Sequence, residues 1–130
     1  GDALVMDKWF AMQVAHAAPE KAAGIASNLT QDSDFNWKNP NRFRAVFGAL
    51  MMNQAGFHEA SGEGYALFAD WLIKLDPVNA QITARMSSGF ETWKRWDADR
   101  QALMQAALKR IMATENLSRD TQEMVGRILN

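Results

Sequence analysis

Apolar residues recur along this chain at spacings of three and four and never alternate with polar ones for long, so the pattern predicts helices and no strand. Residues 3–17 form the first helix. At about 100° per residue, Val5, Trp9, Met12 and His16 fall in one narrow stripe, and Met6, Phe10 and Val14 make a second beside it. A helix that apolar needs neighbours on two sides, from within these residues or from another part of a larger protein. The three prolines read as helix starts, where a missing N–H costs nothing and φ is already helical. Pro19 opens a helix to about 28–31. Asn39–Pro40 opens one to about Asn53, with Phe43, Val46, Phe47, Leu50 and Met51 on its core face. Asp76–Pro77 repeats the device and opens a helix to about Ser88. Between them, Gly62–Glu63–Gly64 leads into a helix carrying Tyr65, Phe68, Leu72 and Ile73 on one face. A short helical piece covers 89–96. Asp97 caps a long helix to about Thr114 with Leu103, Met104, Ala107, Leu108 and Ile111 buried. Ser118 caps the last, which buries Met124, Val125, Ile128 and Leu129.

Composition agrees with helix: 21 Ala and ten Leu stand against ten Val plus Ile. The 130 residues fit one domain, residues 1–130, and the short links between helices suggest antiparallel pairs stacked as part of a solenoid-like superhelix of six to eight helices. No repeat period is visible. With 14 Lys plus Arg against 15 Asp plus Glu, the near-neutral chain lacks the basic surface of a nucleic-acid binder. Without cysteine there is no disulfide framework, thiolate metal site or thiol nucleophile. No apolar run approaches the ~18–20 residues of a membrane span, and the opening residues carry no basic leader. A start at Gly1 rather than Met predicts an excised piece of something longer.

Candidate chemistry is sparse. His58–Glu59 begins like the His-Glu-x-x-His zinc motif, but Gly62 stands where the second imidazole must be. His58 therefore reads as a loop or capping histidine and His16 as a packed residue at the core edge. Gly62–Glu63–Gly64 lacks the strand and lysine of a phosphate loop. Trp93–Lys94–Arg95–Trp96 interleaves rings and cations, but Asp97 and Asp99 dilute the charge, so the rings are expected to pack inward. Arg42 and Arg44 occupy the first turns after Pro40, where the helix dipole disfavours cations, and they point about 200° apart, so at least one approaches the buried side. Gln81 and Arg85 share a face, with Arg85 about 60° from the apolar stripe of Val78, Ile82 and Met86. Such an arginine pairs either with a carboxylate or with a bound anionic or carbonyl group.

Taken in order, Leu4–Val5–Met6–Asp7–Lys8–Trp9–Phe10, Asn39–Pro40–Asn41–Arg42–Phe43–Arg44, Phe57–His58, Ser61–Gly62–Glu63–Gly64–Tyr65, Asn79 to Arg85 with Gln81 inside, Trp96–Asp97–Ala98 with Arg100–Gln101, and Glu115–Asn116–Leu117–Ser118 resemble the C-terminal helical end of the bacterial aminopeptidase N family, zinc gluzincins. The resemblance spans nearly the whole chain. Trp96 stands where the family often has Tyr, and Ala80 where Pro can follow an Asn. The resemblance implies a multidomain cytoplasmic enzyme that removes N-terminal residues from peptides. Its zinc ligands, His-Glu-x-x-His and a distant Glu, and its Gly-x-Met-Glu-Asn amine-binding loop lie outside these residues. This segment would then bind no metal and be inactive alone. Its partners would be the catalytic and preceding domains of the same polypeptide and peptide substrates, neither nucleic acid nor membrane. It would cover the active-site cleft and limit peptide access, with Arg44, Gln81 and Arg85 receiving backbone carbonyls or the C-terminal carboxylate of a peptide. The alternative is a stand-alone helical scaffold that binds a protein partner through a groove.

Overall fold

A computed structural model describes residues 1–130 as eight α-helices and two short 3₁₀ turns, with no strand. The helices fall into two compact units, Gly1–Gly64 and Tyr65–Asn130.

The first unit contains α1 (Asp2–Ala15), α2 (Pro19–Leu29), α3 (Pro40–Met52) and the single turn α4 (Gln54–Phe57). Pro19 and Pro40 sit at helix starts as expected, and the Asn39 side chain accepts from the N–H groups of Asn41 and Arg42. Helix α1 packs on α2 and α3, burying Phe10 and Val14. The interior is a chain of rings: Phe10 to Phe35 at 6.0 Å, Phe35 to Phe47 at 6.4 Å, and Phe47 to Phe43 at 4.9 Å. Helix α2 contributes only the small Ala22, Ala23 and Ala26 to the core, so α4 approaches it closely. A Cβ on Gly56 would lie 2.5 Å from the Ala22 Cβ. Asn53 ends α3 and ties three segments together. Its Nδ2 donates to the Val14 and Ala17 carbonyls at 3.0 and 2.9 Å, while its Oδ1 accepts from the Gly56 N–H at 3.1 Å. The Ala17 carbonyl just past α1 is thus satisfied by a side chain distant in sequence, which also reinforces the Val14 carbonyl that the Ala17 N–H already engages. Of the two stripes on α1, only Met6–Phe10–Val14 is covered. Val5, Trp9, Met12 and also His16 face outward, so His16 is not a core-edge residue. The unit closes only one of the two sides that this helix presents.

The second unit holds most of α5 (Glu63–Leu75), α6 (Ala80–Met86), the 3₁₀ turns Ser87–Phe90 and Trp93–Arg95, α7 (Ala98–Met112) and α8 (Arg119–Leu129). Tyr65, Phe68, Ala69, Leu72, Met104, Leu108, Ile111 and Val125 form its core, and Phe90 lies 6.2 Å from Tyr65 and 5.5 Å from Phe68. Asp97 caps α7 through the Arg100 N–H, and Ser118 caps α8 through the Thr121 N–H. Pro77 departs from expectation. It lies in the turn after α5, and α6 starts three residues later behind Asn79, whose side chain accepts from the Ile82 N–H. Asn79, an equally good cap, sets the start, because Asp76 is engaged elsewhere. The buried Asp76 carboxylate accepts from the Ser118 N–H at 2.7 Å and from the Ser118 and Thr121 hydroxyls, each at 2.6 Å. This clasp holds the start of α8 to the end of α5. Asn116, in the α7–α8 turn, has φ 61°, a left-handed conformation that asparagine tolerates better than most residues.

Candidate functional site

The geometry separates the two arginines at the start of α3. Arg42 turns inward: its Nε donates to Asp7 Oδ1 at 2.5 Å, Nη1 donates to the Asp34 carbonyl, and the guanidinium lies 5.3 Å from the Phe10 ring centroid. It is a structural cation that joins α1 to the loop before α3. Arg44 points to solvent, with Nη2 donating to Asn41 Oδ1 at 3.0 Å. Its remaining donors are open to a ligand.

In the second unit, Gln81 and Arg85 are exposed one turn apart on α6. They line an open depression of about 440 Å³ with Ala84 and, from α8, Asp120, Glu123, Met124 and Arg127. The Asp76 clasp and the α6–α8 packing fix the two walls. Arg85 and Arg127 take part in no ion pair, whereas Glu123 is bound to Arg119 at 3.2 Å. The carboxylate partner anticipated as one option for Arg85 is therefore absent. Two guanidiniums and an amide offer planar donors suited to carboxylate or carbonyl oxygens. Asp120, Glu123 and Arg127 were not anticipated from sequence, although their i, i+3, i+7 spacing marks one polar face of α8. Gln81 and Arg85 share one depression; Arg44 belongs to the other unit.

The remaining candidates are structural. Trp93 is buried and its Nε1 donates to the Ile128 carbonyl at 2.8 Å, while Lys94 and Arg95 face water. His58 is buried at the end of α4 with its ring 4.9 Å from Phe57. No three His, Cys, Asp or Glu side chains converge as metal ligands, so the residues present do not fit a zinc centre. Two titratable groups with displaced behaviour lie in the second unit, neither lining the depression. Burial pushes the Tyr65 hydroxyl up to about 12, with Arg100 lowering it and Asp97 raising it to lesser degrees. The Arg100 N–H holds the Asp97 carboxyl below its usual range.

Short-linked helices packed in two all-helical units, with a polar depression in one of them, define a helical-repeat protein. The chain belongs to the family described as "Domain of unknown function (DUF3458_C) ARM repeats", which matches residues 1–130. ARM repeats are helix pairs that stack into superhelices. The chain is 41% identical over 129 residues to aminopeptidase N of Haemophilus influenzae, a match covering 98% of this chain and 15% of that protein. It is 39% identical over 127 residues to aminopeptidase N of Caulobacter vibrioides, and 38% identical over 127 residues to that of Escherichia coli, covering 97% of this chain in both cases and 15% and 14% of those proteins. The crystal structure of Legionella pneumophila aminopeptidase A in complex with aspartic acid superposes with a TM-score of 0.88 at 33% identity, covering 95% of this chain and 14% of that one. The chain thus spans about one-seventh of the length of the relatives it matches. No helix is long and apolar enough to cross a membrane.

Proposed function

We propose that residues 1–130 are one helical domain of a zinc-dependent aminopeptidase, that they cover the catalytic cleft, and that they control which peptides enter it. The observation that carries this reading is agreement along nearly the whole chain with three proteins named aminopeptidase N. In this reading the zinc ligands and the pocket for the N-terminal residue belong to the rest of the polypeptide, which is cytoplasmic. The domain is inactive by itself. Arg85 and Gln81 on α6 and Arg44 on α3 meet the far end of a bound peptide. The free guanidinium of Arg85 suits a carboxylate or a row of backbone carbonyls, and Gln81, one turn before it, supplies an amide donor and acceptor.

Substrate length provides the test. In the full-length enzyme, Arg85→Ala should lower kcat/KM for a tetrapeptide roughly 10- to 100-fold, the worth of one charged hydrogen bond, while leaving a single-residue amide unchanged. Only the longer substrate extends as far as this domain. Equal losses on both substrates would reduce Arg85 to a structural role. Zinc-dependent release of alanine by the 130-residue chain alone would overturn the whole reading.

A further inference from the structure

We infer that Arg127 on α8 is a further specificity-determining residue, one that receives a carboxylate carried by the far part of a bound peptide, either its C-terminus or an acidic side chain. The inference rests on the proposal above that peptides reach the depression between α6 and α8, and adds to it a residue and a charge preference.

The charges lining the depression do not balance. Arg85 and Arg127 are exposed, and neither guanidinium engages a carboxylate or carbonyl of the chain. Glu123 is held by Arg119 and so neutralised, which leaves Asp120 as the one unpaired carboxylate of the lining. Asp120 precedes Arg127 by seven residues, about 10 Å along the helix, and does not serve that guanidinium. Two free cations against one free anion leave a site that a single negative charge completes. A row of backbone carbonyls is neutral, and Arg85 with Gln81 suffices for it; the second cation calls for a carboxylate.

Arg127 also stands on a fixed support. The last turn of a helix ordinarily frays, because its carbonyls have no partner within the helix. Here Trp93 Nε1 donates to the Ile128 carbonyl at 2.8 Å and Lys94 Nζ to the Asn130 carbonyl at 2.6 Å, so the turn that carries Arg127 is fastened to the second 3₁₀ turn. The Asp76 clasp holds the opposite end of α8. A guanidinium without a protein partner, on a backbone held at both ends, offers a carboxylate its planar pair of donors and has only its own side chain to order.

Three substrates of the full-length enzyme separate the sources of the charge: tetra-alanine with a free C-terminus, the same peptide as its C-terminal amide, and that amide with Glu as its fourth residue. Arg127→Gln should lower kcat/KM for carboxylate-bearing peptides by roughly three- to tenfold relative to the neutral amide, between the worth of an exposed ion pair and that of a sheltered charged hydrogen bond. A loss confined to the free acid supports the inference and assigns the C-terminus as the source; a loss confined to the Glu amide supports it and assigns the side chain. Equal losses on all three peptides, or no loss on any, would overturn it. Arg127→Glu should turn the preference towards an amide with Lys in the fourth position, and a retained preference for Glu would also overturn it. Neither substitution removes a contact within the chain, so both variants should fold as the parent does. Arg85→Ala keeps the two proposals distinguishable. Should that variant prove indifferent to substrate length, the depression is no peptide site and both fall; should it discriminate by length while Arg127→Gln is blind to peptide charge, only the present inference falls.

Discussion

Replacing Asp76 with alanine should be among the most damaging single changes in the second unit. The carboxylate is 3% exposed and accepts three hydrogen bonds of 2.6–2.7 Å from the first turn of α8. Hydrogen bonds to a charged group are each worth about 1.5–3 kcal/mol, which sums to roughly 5–9 kcal/mol. Two effects reduce that sum. The hydroxyls of Ser118 and Thr121 rotate, and loss of the charge removes its own burial cost. What survives is the orphaned Ser118 N–H and the fully buried Thr121 hydroxyl, so the expected loss is about 3 kcal/mol. For a chain of this size that lowers Tm by on the order of 10 °C. Asp76→Asn should cost only about 1 kcal/mol, because its carbonyl can serve the Ser118 N–H while its amide turns to the hydroxyls. Urea unfolding followed by circular dichroism gives both values, and amide exchange along α8 shows where protection is lost. A cost below about 0.5 kcal/mol for the alanine variant, or equal costs for the two variants, would refute the clasp.

Other perturbations read different parts of the molecule. Asn53→Ala frees the Ala17 carbonyl and one N–H of α4 and removes one of two donors to the Val14 carbonyl, and should cost about 2 kcal/mol in equilibrium unfolding. Gly56→Ala should cost about 1–3 kcal/mol, because the new methyl group meets Ala22, whose own side chain is too short to move aside. Tyr65 titrates near 12 when folded and near its ordinary 10.0 when unfolded, so its contribution is complete below pH 10 and is lost as pH rises towards 12. Tyr65→Phe should flatten that alkaline slope in denaturation midpoints. Asp97 has the opposite sign: its lowered pKa stabilises above the ordinary 3.8 and is lost as pH falls through the folded value. Asp97→Asn should keep the α7 cap while removing this acid dependence from the amide exchange of its first turn.

How far the fold was legible depended on the range of each interaction. Helix starts at Pro19, Pro40, Asp97 and Ser118 follow from local cap chemistry and are found where that chemistry puts them. Pro77 misled because Asp76 and Asn79 are both plausible caps, and the choice between them is made by Ser118 and Thr121, some forty residues away. The single turn α4 and the bridging role of Asn53 were illegible for the same reason. Both depend on where the end of α1 lies. On α1 the pattern correctly showed two apolar stripes, but periodicity alone could not say which one the chain itself covers. At the depression, Gln81 and Arg85 stood out as polar residues near an apolar stripe. The facing Asp120, Glu123 and Arg127 looked like any solvated helix face until α8 was seen beside α6.

The Asp76 clasp also sets a timetable for biosynthesis. Its partners are 42 and 45 residues further along, so at ~5–20 residues per second the ribosome delivers them several seconds after the carboxylate itself. During that interval the nascent second unit has an acidic group with nothing to receive and no final helix to complete its interior. The first unit, whose fastenings at Arg42 and Asn53 lie wholly within its own 64 residues, can make those fastenings much earlier.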